Sequence, residues 1–302
     1  MLYKELAFYF ERLRYERGFS QESFIFDIVS ISQYKRYLKG HPPIPFPVMV
    51  ALSNRLGLKY DYILEELDIA KNKERRMVIR LMNFIVNYDY EAFDALVADL
   101  SDDFFLEDRN KLLYRYVLIL KDLFQKKLSD SDALFKLKIL IDYPNILKLK
   151  TLSSNEFMIL GMLATLLPKN EQMVVLKRIE KILENPSQVI SGSNEKMIVM
   201  VLVRIIKLLG MHEDFKKALF YCQTGIKICK SIGTFYSLDY LYYYASLCHH
   251  SLGEIDQRNE FIYLAIVASS VDGNPKKREN FVKLIEDDYQ IDINQFMHNK
   301  WK

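Results

Sequence analysis

The sequence predicts an all-α protein: a short-helix N-terminal domain followed by a longer array of helix pairs. Three observations carry this reading. Apolar residues recur at helical spacing almost everywhere, as in Leu6, Phe10 and Leu13 or Ile179, Ile182 and Leu183. No stretch alternates with period two for long enough to argue a strand. Only 10 glycines and 8 prolines punctuate 302 residues, while 20 tyrosines and 19 phenylalanines supply bulk for packing helix on helix.

At 302 residues the chain exceeds the usual single-domain size, so two domains are expected. Half the residues are apolar and 27% are charged, a globular balance that excludes a disordered chain. The net charge of +3 is too mild to announce nucleic-acid binding, so any electrostatic footprint must be local. Cys222, Cys229 and Cys248 form no CxxC pair and leave one over, which argues against a disulfide framework or a zinc site. Buried free thiols in a reducing cytoplasm are the simplest expectation. The N-terminal stretch MLYKELAFYFERLRYERG carries charges through its apolar positions and so lacks a secretory core. The most apolar run, MIVMVLV, stops at Arg204, far short of the roughly 18 residues a membrane span needs.

Residues 1–68 break into short helices separated by Gly18, by Ser30 to Ser32 and by Gly40 to Pro47. Tyr3 to Glu16 is the first. Ser20 N-caps the second, with Gln21 and Glu22 in its first turn. Ser30 to Ser32 forms a turn and cap, and Ser32 to Leu38 a third helix. Pro47 stands where a proline is tolerated, at the start of VMVALSNRLG. The order is that of a helix-turn-helix domain. Residues 69–80, IAKNKERRMVIR, read as a basic helical connector.

From about Ile69 the helices lengthen and the punctuation spreads out. First helices of successive pairs are expected near residues 72, 109, 154, 194, 235 and 275, the spacing of an α-solenoid. GIKICKSIG (225–233) lies over AIVASSVDG (265–273), matching Gly or Ala at a close helix contact and Gly at the C-cap. The stretch LLGMHEDFKKALFYCQTGIKICKSIG resembles a tetratricopeptide repeat around its turn and second helix. The predicted fold is thus an N-terminal helix-turn-helix domain followed by a tetratricopeptide-like α-solenoid over 81–302.

Between Ile28 and Tyr60 there are five basic residues, Lys35, Arg36, Lys39, Arg55 and Lys59, and no acid. Over residues 1–68, nine cations balance nine acids, so the charge is polarised and not abundant. A DNA-reading helix needs donors and amides near its N-terminus and cations nearby for phosphates. Gln33 can contact adenine in bidentate fashion; Lys35, Arg36 and Lys39 can reach guanine or phosphate; Ser32 and Tyr34 can touch the backbone. The alternative is a solvated polar face on a small helix.

The segment GFSQESF…VSISQYKRYLKG followed by LSNRLGL resembles the phage-repressor type of helix-turn-helix domain. It resembles more closely the Rgg-type members of the peptide-pheromone-controlled regulators. Ser30, Ser32, Gln33, Arg36, Tyr37, Lys39 and Gly40 fall on that pattern without a gap; Ile31, Lys35, Leu38 and the proline run depart from it. The resemblance implies a homodimer that binds double-stranded DNA, with a C-terminal repeat domain that binds a short signalling peptide and takes part in dimerisation.

In repeats of this kind the first helices line the concave face. A register set from Gly210 puts Met197, Met200, Arg204 and Lys207 there; one set from Gly253 puts Tyr240, Tyr243, Leu247 and His250 there; one set from Pro168 adds Asn155, Met158 and Met162. Methionines adapt to varied apolar side chains, Asn bonds peptide backbone, and Arg or Lys holds a carboxylate. Core packing is the competing reading for each. Arg204 stands out because a cation within an apolar helix needs solvent or a partner.

No phosphate-cradling glycine loop, HExxH, GxSxG or EF-hand pattern occurs. Adjacent His249 and His250 point to different helix faces. Neither an enzyme nor a cofactor or metal is expected. A protein-interaction scaffold built on the repeats, or a repressor needing no peptide, are the alternative functions.

Overall fold

A computed structural model describes residues 2–71, 73–100, 104–105, 108–185, 189–190, 195–271 and 273–300. The chain divides into two units, Met1–Met77 and Val78–Lys302.

The first unit holds α1 (Leu2–Glu16), α2 (Gln21–Ile25), α3 (Ile31–Leu38), α4 (Phe46–Arg55) and α5 (Tyr60–Lys71). Local chemistry sets the starts. Ser20 caps α2 by accepting from the Ser23 amide, and Ser30 caps α3 by accepting from the Gln33 amide. At α4 Pro45 occupies the cap position and Pro47 lies in the first turn, where its missing N–H leaves no helix bond unmade. Gly40, at φ +89°, turns the chain out of α3; a Cβ there would stand 3.2 Å from Lys4 Cβ. Phe10, Phe24, Tyr34, Leu52, Leu56 and Ile63 form the core of this unit. Phe24 meets Tyr34 edge-on at 6.0 Å.

The division between the units falls inside α6 (Lys73–Val86), which is followed by α7 (Tyr90–Ala98). The remaining elements are α8 (Asp108–Phe124), α9 (Asp130–Leu140), α10 (Ser154–Leu166), α11 (Lys169–Glu184), α12 (Glu195–Met211), α13 (Phe215–Ser231), α14 (Leu238–Ser251), α15 (Ile255–Ser269), α16 (Pro275–Tyr289) and α17 (Ile293–Lys300). First helices therefore begin at Lys73, Asp108, Ser154, Glu195, Leu238 and Pro275. The largest displacement from the expected starts is at α14, where Ser237 holds φ +56° and no helix can run through it.

Packing is sequential: α8 on α9, α9 on α10, α10 on α12, α12 on α13, α13 on α14, and α14 on α15. The centre is α10, buried continuously from Phe157 to Ala164 and started by a full capping box between Ser153 and Glu156. Leu152–Ser153 (β1) pairs in parallel with Val189–Ile190 (β2), a two-residue ladder beside an otherwise helical chain. Gly225 lets α13 approach α14; a Cβ there would fall 2.8 Å from Leu241 Cδ2. The three cysteines are buried free thiols.

Candidate functional site

The outer face of α3 is built from the serine cap downward. Ser30 fixes the first turn, and the residues that follow alternate between core and solvent at helical spacing. Ser32, Lys35, Arg36 and Lys39 are exposed, and Gln33 is half-buried. Gln33 Oε1 accepts from Arg36 at 3.4 Å, a long and exposed contact that a competing partner replaces easily. Tyr34 and Tyr37 point inward at 0% and 4% exposure. The inward placement corrects the expectation that Tyr34 touches a DNA backbone. Its ring is part of the core and its hydroxyl donates to Glu11 Oε2 at 2.8 Å. Of the five cations in this region, Arg55 is also engaged, donating to the Ser23 and Phe26 carbonyls at the end of α2 at 2.8 and 2.9 Å.

Glu11 of α1 is the hub that holds α3. Its carboxylate accepts from Arg14 Nε and Nη2 at 2.9 and 2.7 Å, from Gln21 Nε2 at 2.8 Å and from Tyr34. The Arg14 guanidinium, against the opposing effect of burial and aided by Gln21 and Tyr34, holds this carboxyl down at about 2. Burial foremost, then the bond to Glu11, pushes the Tyr34 phenol far up, so it stays a neutral donor. Helices α1, α2 and α3 are thus tied at one charged point.

In the second unit the predicted residues fall into three groups. Met158, Met162 and Tyr243 are buried at 5%, 7% and 5% exposure. This corrects their assignment to an open groove: α10 is apolar on all sides and therefore enclosed, and Tyr243 packs on Phe281 of α16 while its hydroxyl donates to Asp288. Asn155 and Arg204 are already committed to backbone. Asn155 Nδ2 donates to the Arg109 carbonyl at 2.8 Å, and Arg204 Nη1 to the Met158 carbonyl at 2.8 Å. The third group, Met197, Met200, Lys207, Tyr240, Leu247 and His250, keeps partial or full exposure. Tyr240 shares an edge-on contact with Phe281 at 5.2 Å.

Arg204 links three first helices. From α12 it bonds α10 and lies over the Tyr116 ring of α8, with its Cζ 5.9 Å from the centroid. Tyr116 is fully buried, and the Arg204 guanidinium is the polar group that interacts with its hydroxyl. Burial raises that phenol's pKa, and the neighbouring Arg204 opposes the rise. The partner that Arg204 required was 46 residues away, where no local pattern in the sequence points to it.

Among the described residues, no group of three His, Cys, Asp or Glu side chains is placed to hold a metal ion. No described helix is long and apolar enough to cross a membrane.

No protein-family model and no curated protein matches the sequence. Solved structures do. Bacillus thuringiensis PlcR in complex with the peptide PapR7 and DNA is similar with a TM-score of 0.72 at 14% identity, covering 92% of this chain and 99% of that one. ComR from S. thermophilus, in complex with DNA and its signalling peptide ComS, gives 0.64 at 15% identity over 91% and 97%. The SHP pheromone receptor Rgg2 of Streptococcus dysgalactiae gives 0.64 at 12% identity over 94% and 99%. At such identities the likeness establishes the fold: an all-α chain with a helix-turn-helix domain and tetratricopeptide-like repeats, as expected from the sequence.

Proposed function

We propose that this chain is a sequence-specific DNA-binding transcriptional regulator of the cytoplasm. It acts as a homodimer, and its repeat domain binds a short signalling peptide that modulates DNA binding. The observation that carries the reading is α3: a serine-capped helix whose tyrosines are fixed in the core while Ser32, Gln33, Lys35, Arg36 and Lys39 form one outward row. Amide and cationic side chains near a helix N-terminus suit base edges and phosphates of a major groove. Dimerisation is part of the proposal because one short helix reads too few base pairs, and paired half-sites supply the rest. The solved complexes of PlcR and ComR, each with a peptide and DNA, support both halves.

The peptide face proposed here is Met197, Met200, Arg204 and Lys207 on α12 with Tyr240 and Leu247 on α14. A ligand modulates DNA binding only by favouring one arrangement of the domains over another. A regulator that needs no peptide is the second reading, and the engagement of Asn155 and Arg204 with backbone carbonyls favours it.

Selection of duplexes by the full-length protein from a random pool tests the first half. Gln33→Ala or Arg36→Ala should relax preference at one base pair by about 1–3 kcal/mol and leave the other positions alone. Binding indifferent to sequence and to both substitutions sinks the DNA-reading claim. For the second half, a pool of short apolar synthetic peptides should raise the melting temperature of the wild type and not of Met200→Glu. If no peptide does so, the peptide-independent reading stands.

A further inference from the structure

A concavity of the second unit runs along the seam between α8 and α9, and none of the residues proposed above for DNA or peptide lines it. It is a groove of about 830 Å³. Leu112, Leu118, Ile119, Ile139 and Leu140 make its floor, and Lys111, Arg115 and Lys136 stand on its rim. Ile139 and neighbouring Phe135 on α9 are 66% and 65% exposed, among the most exposed large apolar side chains of the protein. Contiguous apolar surface of this kind marks an interaction site more often than bare solvent contact.

The charges say what would cover it. Asp108 is the one acid lining the groove and is 3.7 Å from Lys111. Arg115 and Lys136 make no ion pair among the described residues, although they flank the apolar floor from opposite helices. Two antiparallel helices, the first of 17 residues and about 25 Å long, present a seam onto which a third helix packs ridge into groove. Within the repeat array α10 already packs against both α8 and α9.

We infer that the α8–α9 groove is a docking site for an acidic amphipathic helix of a partner protein. Apolar residues at helical spacing on that helix fill the floor, and carboxylates on its flanks meet Arg115 and Lys136. The site is separate from the peptide face on α12 and α14 and does not depend on it. A regulator with such a groove makes a protein contact of its own besides those to DNA and ligand.

The test uses full-length protein and a fluorescein-labelled designed peptide, with leucines along one helical face and glutamates along the other, read by anisotropy and circular dichroism. A second peptide has lysine at each glutamate. The acidic peptide should gain helicity and bind at least about tenfold tighter than the basic one, with the preference shrinking as salt rises. Arg115→Glu with Lys136→Glu should invert the preference, and Ile139→Asp should abolish binding of both. Ile139 is an exposed side chain, so its variant should fold, which unchanged circular dichroism of the free protein would verify. Met200→Glu should bind the acidic peptide as the wild type does. Equal affinity for the two peptides, or loss of binding in Met200→Glu, overturns the inference. So does a concentration-dependent mass that Ile139→Asp abolishes, which would give the face to a second copy of this chain.

Discussion

Replacing Glu11 with alanine tests whether one carboxylate holds α3 in place. The substitution leaves the fully buried Tyr34 hydroxyl without its acceptor and removes two Arg14 bonds. An orphaned buried phenol costs about 1–3 kcal/mol. Arg14 keeps the Phe19 carbonyl, and its side chain has 12% exposure through which to recover water, so it adds less than about 1 kcal/mol. The sum, about 1–4 kcal/mol, should speed hydrogen exchange of the α3 amides roughly 5- to 900-fold at pH 7. Glu16→Ala is the control: its 3.7 Å pair with Arg12 is 58–61% exposed and should contribute about 0.5 kcal/mol or less. The same carboxylate sets a pH dependence. Its folded pKa, about 2, lies below the ordinary value of 4.5. The stabilisation is therefore complete above about 4.5 and is lost as pH falls from there towards 2. Discounted for solvent on its open side, that is on the order of 1–2 kcal/mol. Glu11→Gln should flatten this part of the acid limb. Unchanged α3 exchange in Glu11→Ala, or an acid limb that Glu11→Gln does not flatten, refutes the reasoning.

Three further outcomes follow from the same kind of accounting. Ser30→Ala, which removes the acceptor for the Gln33 amide, should cost about 1 kcal/mol in urea unfolding while Ser30→Asp restores it. Gly225→Ala gains about 1 kcal/mol of helix propensity but drives a Cβ to 2.8 Å from the buried Leu241, and overpacking of about 1–3 kcal/mol should win; a lower melting temperature checks it. Lys277→Ala removes the counter-charge 3.3 Å from Asp239, which is 3% exposed and keeps the Tyr240 amide at 2.9 Å, and should cost about 3 kcal/mol, part of which Asp239→Asn recovers in a double-mutant cycle.

Helix starts were legible because they are written locally. Ser20 and Ser30 each cap the helix that follows, and the first helices of the pairs fall where glycine, proline and apolar spacing place them. Tyr34 was misread although its signal was present. Tyr34, Tyr37 and Leu38 stand at i, i+3 and i+4 and so share the inward stripe of α3. Polar neighbours on both sides drew it into the reading face. Arg204 shows the opposite limit. Its isolation in an apolar helix marked it correctly, but the acceptor is a main-chain carbonyl of another helix, and carbonyls carry no sequence signature. Asn155 was spent in the same way on Arg109. The β1–β2 pairing, two residues long, is below any periodicity. The apolar groove on α8 and α9 went unread because its floor is visible only once the two helices lie side by side.

The inward tyrosines of α3 also bear on how such a protein changes over generations. Tyr34 and Tyr37 hold the helix in place, while positions 32, 33, 35, 36 and 39 carry none of the core. Substitution along the outer row is therefore nearly neutral for folding. Under the proposed function, a lineage with this chain could exchange one operator for another by single steps there, without passing through an unfolded intermediate sequence.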